Sequence, residues 1–260
     1  MKPGLKRGLK IAAVVLVVLL AFPVTVMVSA FAGTSDIVDG LELEGVARVV
    51  KDGYVTVGLI DVGGGKVALI DGGNDPAGKA ILAELSRRKV GPEAVSAIFI
   101  THGHPDHVAA CHLFPAAQVY ALGPDVDLAE GRVPSRSPVG RLFGARQTNT
   151  KISRTLSDGE IVGVGDRKVQ VFAVPGHTAG SAAYLVDGVL FLGDSASGTS
   201  SGKITGAPWF FSDDQPQNRA SLKALAERLG PRAAEIKVLV PAHTGVLRGL
   251  GPLQAFGAEH

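Results

Sequence analysis

A single cysteine, two methionines, one tryptophan and an aromatic content of 5% set the first limits on this 260-residue chain. One thiol, Cys111, can close no internal disulfide framework and build no thiolate metal cluster. Charge is also sparse at 19%, but a hydrophobic content of 46% excludes a disordered polymer and supplies one large domain with a sizeable core. Glycine (34) and proline (15) are plentiful by contrast. Their abundance favours tight turns between short strands over long helices, and the expected class is α/β.

No acidic residue precedes Asp36, whereas Lys2, Lys6, Arg7 and Lys10 all lie ahead of the first apolar run. Setting those four cations aside turns the formal net charge of +2 into −2, which argues against nucleic acid or another polyphosphate as partner. Residues 11–35 carry no charge and are largely Val, Leu, Ala and Ile. Such a run behind a basic leader can enter a bilayer, as a signal peptide cleaved near Ala30-Phe31-Ala32 or as a retained membrane anchor. Both fates export the rest of the chain, so residues 1–35 are read as a signal peptide or anchor and 36–260 as one extracytoplasmic folded domain, with its oligomeric state left open.

Along the domain, after a polar linker around 34–39, the alternation at 46–50 and 54–60 predicts two strands joined by the Asp52-Gly53 turn. Gly63-Gly64-Gly65-Lys66 has the look of a phosphate loop, yet the β-type run 67–70 follows it, which makes it a hairpin turn. A helix over 76–89, a strand over 95–100, a helix opening at Val108 and a strand over 118–122 come next. The stretch 131–150, with Pro134, Pro138, Arg132, Arg136, Arg141 and Arg146, reads as a polar insertion or lid; its arginines could bind an anionic substrate, but a solvated loop is the preferred reading. Strands at 168–174, 182–186 and 189–192, a helix over 216–229 and a strand over 236–240 repeat the strands-then-helix plan. Two packed sheets with helices outside, a four-layer αββα sandwich, accommodate this order.

Chemistry concentrates in Thr101-His102-Gly103-His104-Pro105-Asp106-His107. In extended chain, residues two apart point the same way, so His102 and His104 can grip one ion from one side. Gly103 and Pro105 interrupt any continuous helix and let Asp106 and His107 turn toward a second point. His177, Asp194 and His243 each follow an apolar strand. Alone, each would be an ordinary capping or surface residue; together with the cluster they suggest ligands. Five imidazoles and two carboxylates suit zinc, and also iron or manganese. Two dications can share a hydroxide, lower its pKa and polarise the oxygen of an ester, thioester, lactone or amide, with Asp106 beside it to handle protons.

The order Asp71, His102-x-His104-x-Asp106-His107, His177, Asp194, His243 resembles the signature of the metallo-β-lactamase superfamily. The resemblance implies the αββα fold and two zinc ions per chain: one held by His102, His104 and His177, the other by Asp106, His107 and His243, with Asp194 bridging and Asp71 bracing. Val108-Ala109-Ala110 stands where the family often has a glycine pair, which alters helix packing more than coordination. Cys111 and His112 read as packing or surface residues. Gly198-Thr199-Ser200-Ser201-Gly202 fits a serine-nucleophile pattern, but no strand leads directly into it and no helix follows. Trp209-Phe210-Phe211 could wall a substrate pocket or fill core under a loop.

Within the superfamily, Asp194 points away from three-histidine β-lactamases and toward the glyoxalase II-like and lactonase-like branch. His104 stands where the di-iron oxygen reductases have glutamate. A glutathione thioesterase would want a longer C-terminal helical region than the residues after His243 provide. The expected function is metal-dependent hydrolysis of a small-molecule ester, thioester, lactone or amide. The alternatives are a sulfur dioxygenase using one iron on the same framework, a β-lactamase, and a membrane-tethered binding domain, which should have lost ligands.

Overall fold

Central strands of both sheets, such as 67–70, 182–186 and 189–193, are buried on both faces, the pattern of sheets covered on two sides, and three separate cores result. The structure, a computed structural model, describes residues 10, 17, 21, 22, 25, 26, 28, 29 and 31–259. It divides into residues 1–33 and 34–260. Most of the apolar run 11–35 lies outside the described residues, and no helix among the described residues is long and apolar enough to cross a membrane.

The first sheet has the order β1 (Glu42–Leu43), β2 (Ala47–Asp52), β3 (Val55–Asp61), β4 (Val67–Ile70), β5 (Val95–Phe99), β6 (Gln118–Leu122), β7 (Arg154–Leu156). It is antiparallel up to β4 and parallel from β4 onward. Asp52 pairs with Val55, so the expected hairpin turns on Gly53-Tyr54. The 63–66 segment is the hairpin turn expected of it, with Lys66 donating through Nζ to the Glu93 carbonyl. The second sheet comprises β8 (Ile161–Val164), β9 (Arg167–Ala173), β10 (Ala182–Val186), β11 (Val189–Gly193), β14 (Val238–Pro241) and β15 (Leu247–Arg248), with β11 and β14 parallel.

Period-two alternation splits each strand between layers. Phe99 of β5 and Tyr184 and Phe191 of β10 and β11 fill the core between the sheets. Ile98 instead packs with Ile81 and Leu85 of helix α1 (Lys79–Arg87). Leu185 and Leu190 pack with Leu222 and Leu225 of a later helix, Gln215–Leu229, and with Phe256 of the C-terminal helix, Gly251–Glu259. Helix, sheet, sheet, helix is the four-layer αββα sandwich.

Local differences have physical causes. The helix expected to open at Val108 begins earlier, as α2 (Pro105–Val108), because Pro105 takes the first helical position, where its missing N–H costs nothing. Only a short 3-10 turn, Cys111–Leu113, remains of the rest. Cys111 is buried in the α1-side core and His112 is exposed. Within 131–150, α3 (Val126–Ala129) having just ended, Ser137 caps a short helix α4 (Pro138–Phe143) by accepting from Gly140 N–H at 3.1 Å. The stretch read as a linker is tied into the domain: Ser35 N–H donates to Gly198 O at 3.0 Å. Gly198 closes β12 (Ala196–Gly198), which pairs with β13 (Ile204–Gly206), so Gly198–Gly202 is a strand end and turn and not a strand-to-helix nucleophile elbow.

Candidate metal centre

Ligand-bearing segments leave the strands at one edge of the sandwich. The strands β4 and β5, which run parallel, end at Asp71 and the 101–107 segment; β9, β11 and β14, which share a direction, precede His177, Asp194 and His243. Gly193 pairs with Pro241 across β11 and β14, and Ala242 N–H donates to Gly193 O at 3.0 Å, which brings Asp194 and His243 to one level. The two sheets are stitched at the site itself: Ala182 N–H donates to Thr101 O at 2.7 Å and the Tyr184 hydroxyl to Ile100 O at 2.8 Å. Two glycines are required here. Gly176 has φ 131 and a Cβ there would stand 2.1 Å from Asn218 N; Gly193 has φ 54 and its Cβ would meet Thr101 Cβ at 2.7 Å.

All seven expected residues converge. His102 Nε2, His104 Nδ1 and His177 Nε2 form a triangle with sides of 3.0, 3.0 and 3.2 Å. Asp106, His107 and His243 make a second group, each offering one donor atom within 4.8 Å of the others. Between them lies Asp194, whose Oδ2 is 3.5 Å from His177 Nε2, 3.8 Å from His102 Nε2 and 2.9 Å from His243 Nε2, while Oδ1 is 3.3 Å from His107 Nε2.

The outer ring nitrogens decide whether these groups fit a cation. Thr101 donates its hydroxyl to Asp71 Oδ2 at 2.8 Å, so its oxygen accepts from His102 Nδ1–H at 3.2 Å. Ser212 donates to Pro208 O at 2.7 Å and likewise accepts from His177 Nδ1–H at 3.2 Å. Both Nε2 atoms are therefore bare lone pairs, 3.2 Å apart. His104 Nδ1 can donate to only one of them, so at most one side of the triangle is a hydrogen bond. The other contacts are repulsive unless a cation sits among them. His107 Nδ1–H donates to Asp71 Oδ2 at 2.8 Å and His243 Nδ1–H to Tyr54 O at 2.9 Å, which again turns Nε2 inward. His107 Nε2 and Asp194 Oδ1 are buried without a hydrogen-bond partner among the described residues. The donor set thus fits a metal pair, and imidazole with carboxylate suits zinc first.

Electrostatics divide the two groups. Burial pushes His102, His104 and His177 below the usual histidine range, the first and last strongly, which keeps them neutral. Burial also opposes charge on His107 and His243, yet Asp194 and its companion carboxylates hold both above that range. Burial would raise Asp194, but His243, His107 and His102 hold it well below an ordinary carboxyl.

Of the groups that aim these rings, sequence reading found Asp71 and missed the rest. Asp71, expected to brace, does so with three bonds, accepting also from Thr101 N–H at 2.7 Å; it sits at φ 66, a left-handed backbone that aspartate tolerates. Asp125 is the larger omission. Its buried carboxylate accepts from Gly103 N–H at 2.8 Å, Thr178 Oγ1–H at 2.6 Å and Gly180 N–H at 2.7 Å, clamping the two loops that carry the first triad. The sole signal was an aspartate just past an apolar strand. Ser212 lay unmarked behind the aromatic run, and Tyr54 contributes only its carbonyl and a ring stacked on His243 at 5.6 Å.

Comparisons with known proteins agree with this geometry. The hydroxyacylglutathione hydrolase of Dechloromonas aromatica is 33% identical over 145 residues, covering 55% of this chain and 44% of that protein. The Xanthomonas axonopodis protein of the same name is 30% identical over 170 residues, covering 64% and 53%. The chain spans about half the length of the curated relatives it matches. Among solved structures, a subclass B3 metallo-beta-lactamase of Bradyrhizobium japonicum superposes with a TM-score of 0.64 at 19% identity, covering 88% of this chain and 93% of that one. A metallo-beta-lactamase family protein of Thermus thermophilus gives 0.57 at 22%, covering 82% and 76%. With residues 50–243 matching the family as a whole and its seven donor residues meeting in space, the chain belongs to the metallo-beta-lactamase superfamily.

Proposed function

We propose that this chain is a binuclear, zinc-type metallo-hydrolase that cleaves the acyl bond of a small ester, thioester or lactone, and that it works outside the cytoplasm. The observation that carries the reading is the placement of the Asp194 carboxylate between two histidine groups, with the bare nitrogens of His102 and His177 facing one another in the first. His102, His104 and His177 would hold one ion, Asp106, His107 and His243 the other, with Asp194 shared. When bound, such a pair supplies Lewis acidity to a carbonyl and acidifies water.

The remaining work falls to side chains. Thr101, Asp71, Ser212 and the Tyr54 carbonyl fix the tautomers and orientations of four of the five imidazoles, so those four rings need not turn during the reaction. Asp106 Oδ2 lies 3.6 Å from His243 Nε2 with its side chain 23% exposed, the most open of the seven on its side of the site. It can take a proton from the attacking water and return it to the departing oxygen or sulfur. Thioesters lead the substrate classes because the curated relatives bear hydroxyacylglutathione hydrolase names. Export rests on the basic leader and the uncharged run 11–35.

The test is turnover by the metal-loaded full chain on a panel of lactones, thioesters, esters, β-lactams and phosphodiesters. His102→Ala and Asp194→Ala should each lower kcat/KM by about 10³-fold or more. Retained activity in both variants would end the assignment.

A further inference from the structure

The turn that carries His243 is held from two sides. On one side the start of β3 binds it: Thr56 N–H donates to Ala242 O at 2.7 Å and His243 Nδ1–H to Tyr54 O at 2.9 Å. On the other lie three residues from far up the chain. Ser35 N–H donates to Gly198 O at 3.0 Å, Ser35 O accepts from Gly245 N–H at 3.0 Å, and Thr34 forms an antiparallel bridge with Thr199. Thr244 Oγ1 accepts from Gly198 N–H at 2.7 Å, which joins the end of β12 directly to the turn. Residues 34–36 thus bond both to the segment that follows Asp194 and to the residues that follow His243.

The seam is close-fitting where it touches the turn. Gly245 lies under the crossing chain, and a Cβ there would stand 2.6 Å from Asp36 O and 3.0 Å from Ser35 Oγ. Further along, Ile37 and Leu41 pack against the inter-sheet core. Between them and the turn remains a pocket of about 140 Å³, lined in part by Ser35, Ile37, Thr56, Thr244 and Val246. Beside His243 the attachment therefore rests on backbone hydrogen bonds more than on apolar packing. The first triad is fastened elsewhere, through Asp125 to Gly103, Thr178 and Gly180.

From this wiring we infer that residues 34–36 are a positioning strap for the second donor group: they fix the turn carrying His243 against the segment carrying Asp194, and so set how tightly the second ion is held while leaving the first to Asp125. This rests on the binuclear reading above and adds a means of regulating it. The strap sits at the end of the uncharged run 11–35, so a cut near Ala30-Phe31-Ala32 leaves it on the domain, whereas a cut past Ser35 removes it and releases the second ion.

The experiment is competitive zinc titration of the full chain against a chromophoric chelator, which should resolve two binding steps in the parent; His243→Ala identifies the step that belongs to the second group. Ser35→Pro, which removes an N–H of the strap, and Thr244→Val, which removes the hydroxyl at the seam, should each weaken that step by about tenfold or more and the other by less than about twofold. Ser35→Ala and Thr244→Ser keep the backbone bonds and the hydroxyl and should bind both ions as the parent does. If Ser35→Pro does not fold, Thr244→Val against Thr244→Ser decides alone. Two steps of parental strength in the Pro and Val variants would overturn the inference and leave the binuclear reading standing. Equal weakening of both steps would show a general loosening of the domain and overturn the inference as well. A parent chain with fewer than two steps would overturn both.

Discussion

Replacing Asp125 by asparagine isolates the clamp between the two loops of the first triad. Its carboxylate accepts from three donors, Gly103 N–H and Thr178 Oγ1–H on one oxygen and Gly180 N–H on the other. The isosteric amide has one acceptor oxygen. Facing Gly103 and Thr178, it would set its NH₂ against Gly180 N–H, losing one bond and stranding a buried donor at about 1–3 kcal/mol. The two surviving bonds lose their charge assistance, about 0.5–1 kcal/mol each. Burial pushes the Asp125 carboxyl up while Thr178, Gly103 and Gly180 pull it down, so removing the charge returns part of this loss. A net cost of roughly 2–3 kcal/mol lowers Tm by roughly 5–10 °C for a domain of this size. Misaligned His102, His104 and His177 should weaken metal binding by about 10–100-fold. Thermal unfolding of metal-loaded and chelator-treated protein, with competitive metal titration, checks both. An Asp125→Asn protein that melts with the parent and keeps its metal affinity would refute the clamp.

Three further outcomes follow from the charges and the thiol. His107 and His243 are held above the usual histidine range, so the metal-free protein carries protons there at neutral pH that metal must displace; titration calorimetry in buffers of different ionisation enthalpy should find about one to two protons released per chain, and none released would contradict it. Glu84, buried among Arg87, Arg88 and Arg48, is lowered by them against its desolvation; a depressed carboxyl stabilises above its unfolded pKa of about 4.3 and loses that contribution as pH falls through the folded value, so Glu84→Gln should cost about 1–2 kcal/mol at pH 7 and progressively less as the pH falls below the unfolded value, measured by denaturant unfolding across that range. Cys111, its thiol pushed by burial to about 12, should resist iodoacetamide in the native protein and react once unfolded; native labelling at the rate of a free thiol would refute its place in the core.

The sandwich was legible because period-two apolar runs are long here and turn residues separate them: the Asp52-Gly53 hairpin, the 63–66 turn and the strand after each glycine all register locally. The seven candidate donors were legible because three imidazoles and a carboxylate crowd into 102–107, and beside that cluster the otherwise ordinary strand-end residues His177, Asp194 and His243 read as ligands. What stayed hidden is what depends on distant chain. Asp125 is bonded to Gly180, 55 residues away, and no local pattern announces such a partner. The early start of α2 was masked by Pro105, read as a break when it is a first turn. The arginines of the insertion were indistinguishable until Arg132 was seen to pair with Asp127 and Glu130, and Arg136 with Asp213.

Metal content per chain is the most direct measurement of the central claim. Full-length protein loaded with zinc, freed of excess and analysed by plasma mass spectrometry should hold about two ions, falling to about one in His102→Ala and to one or fewer in Asp194→Ala. Tightly bound metal absent from the parent, or present at unchanged stoichiometry in both variants, would mean that the facing lone pairs of His102, His104 and His177 do not form a metal site.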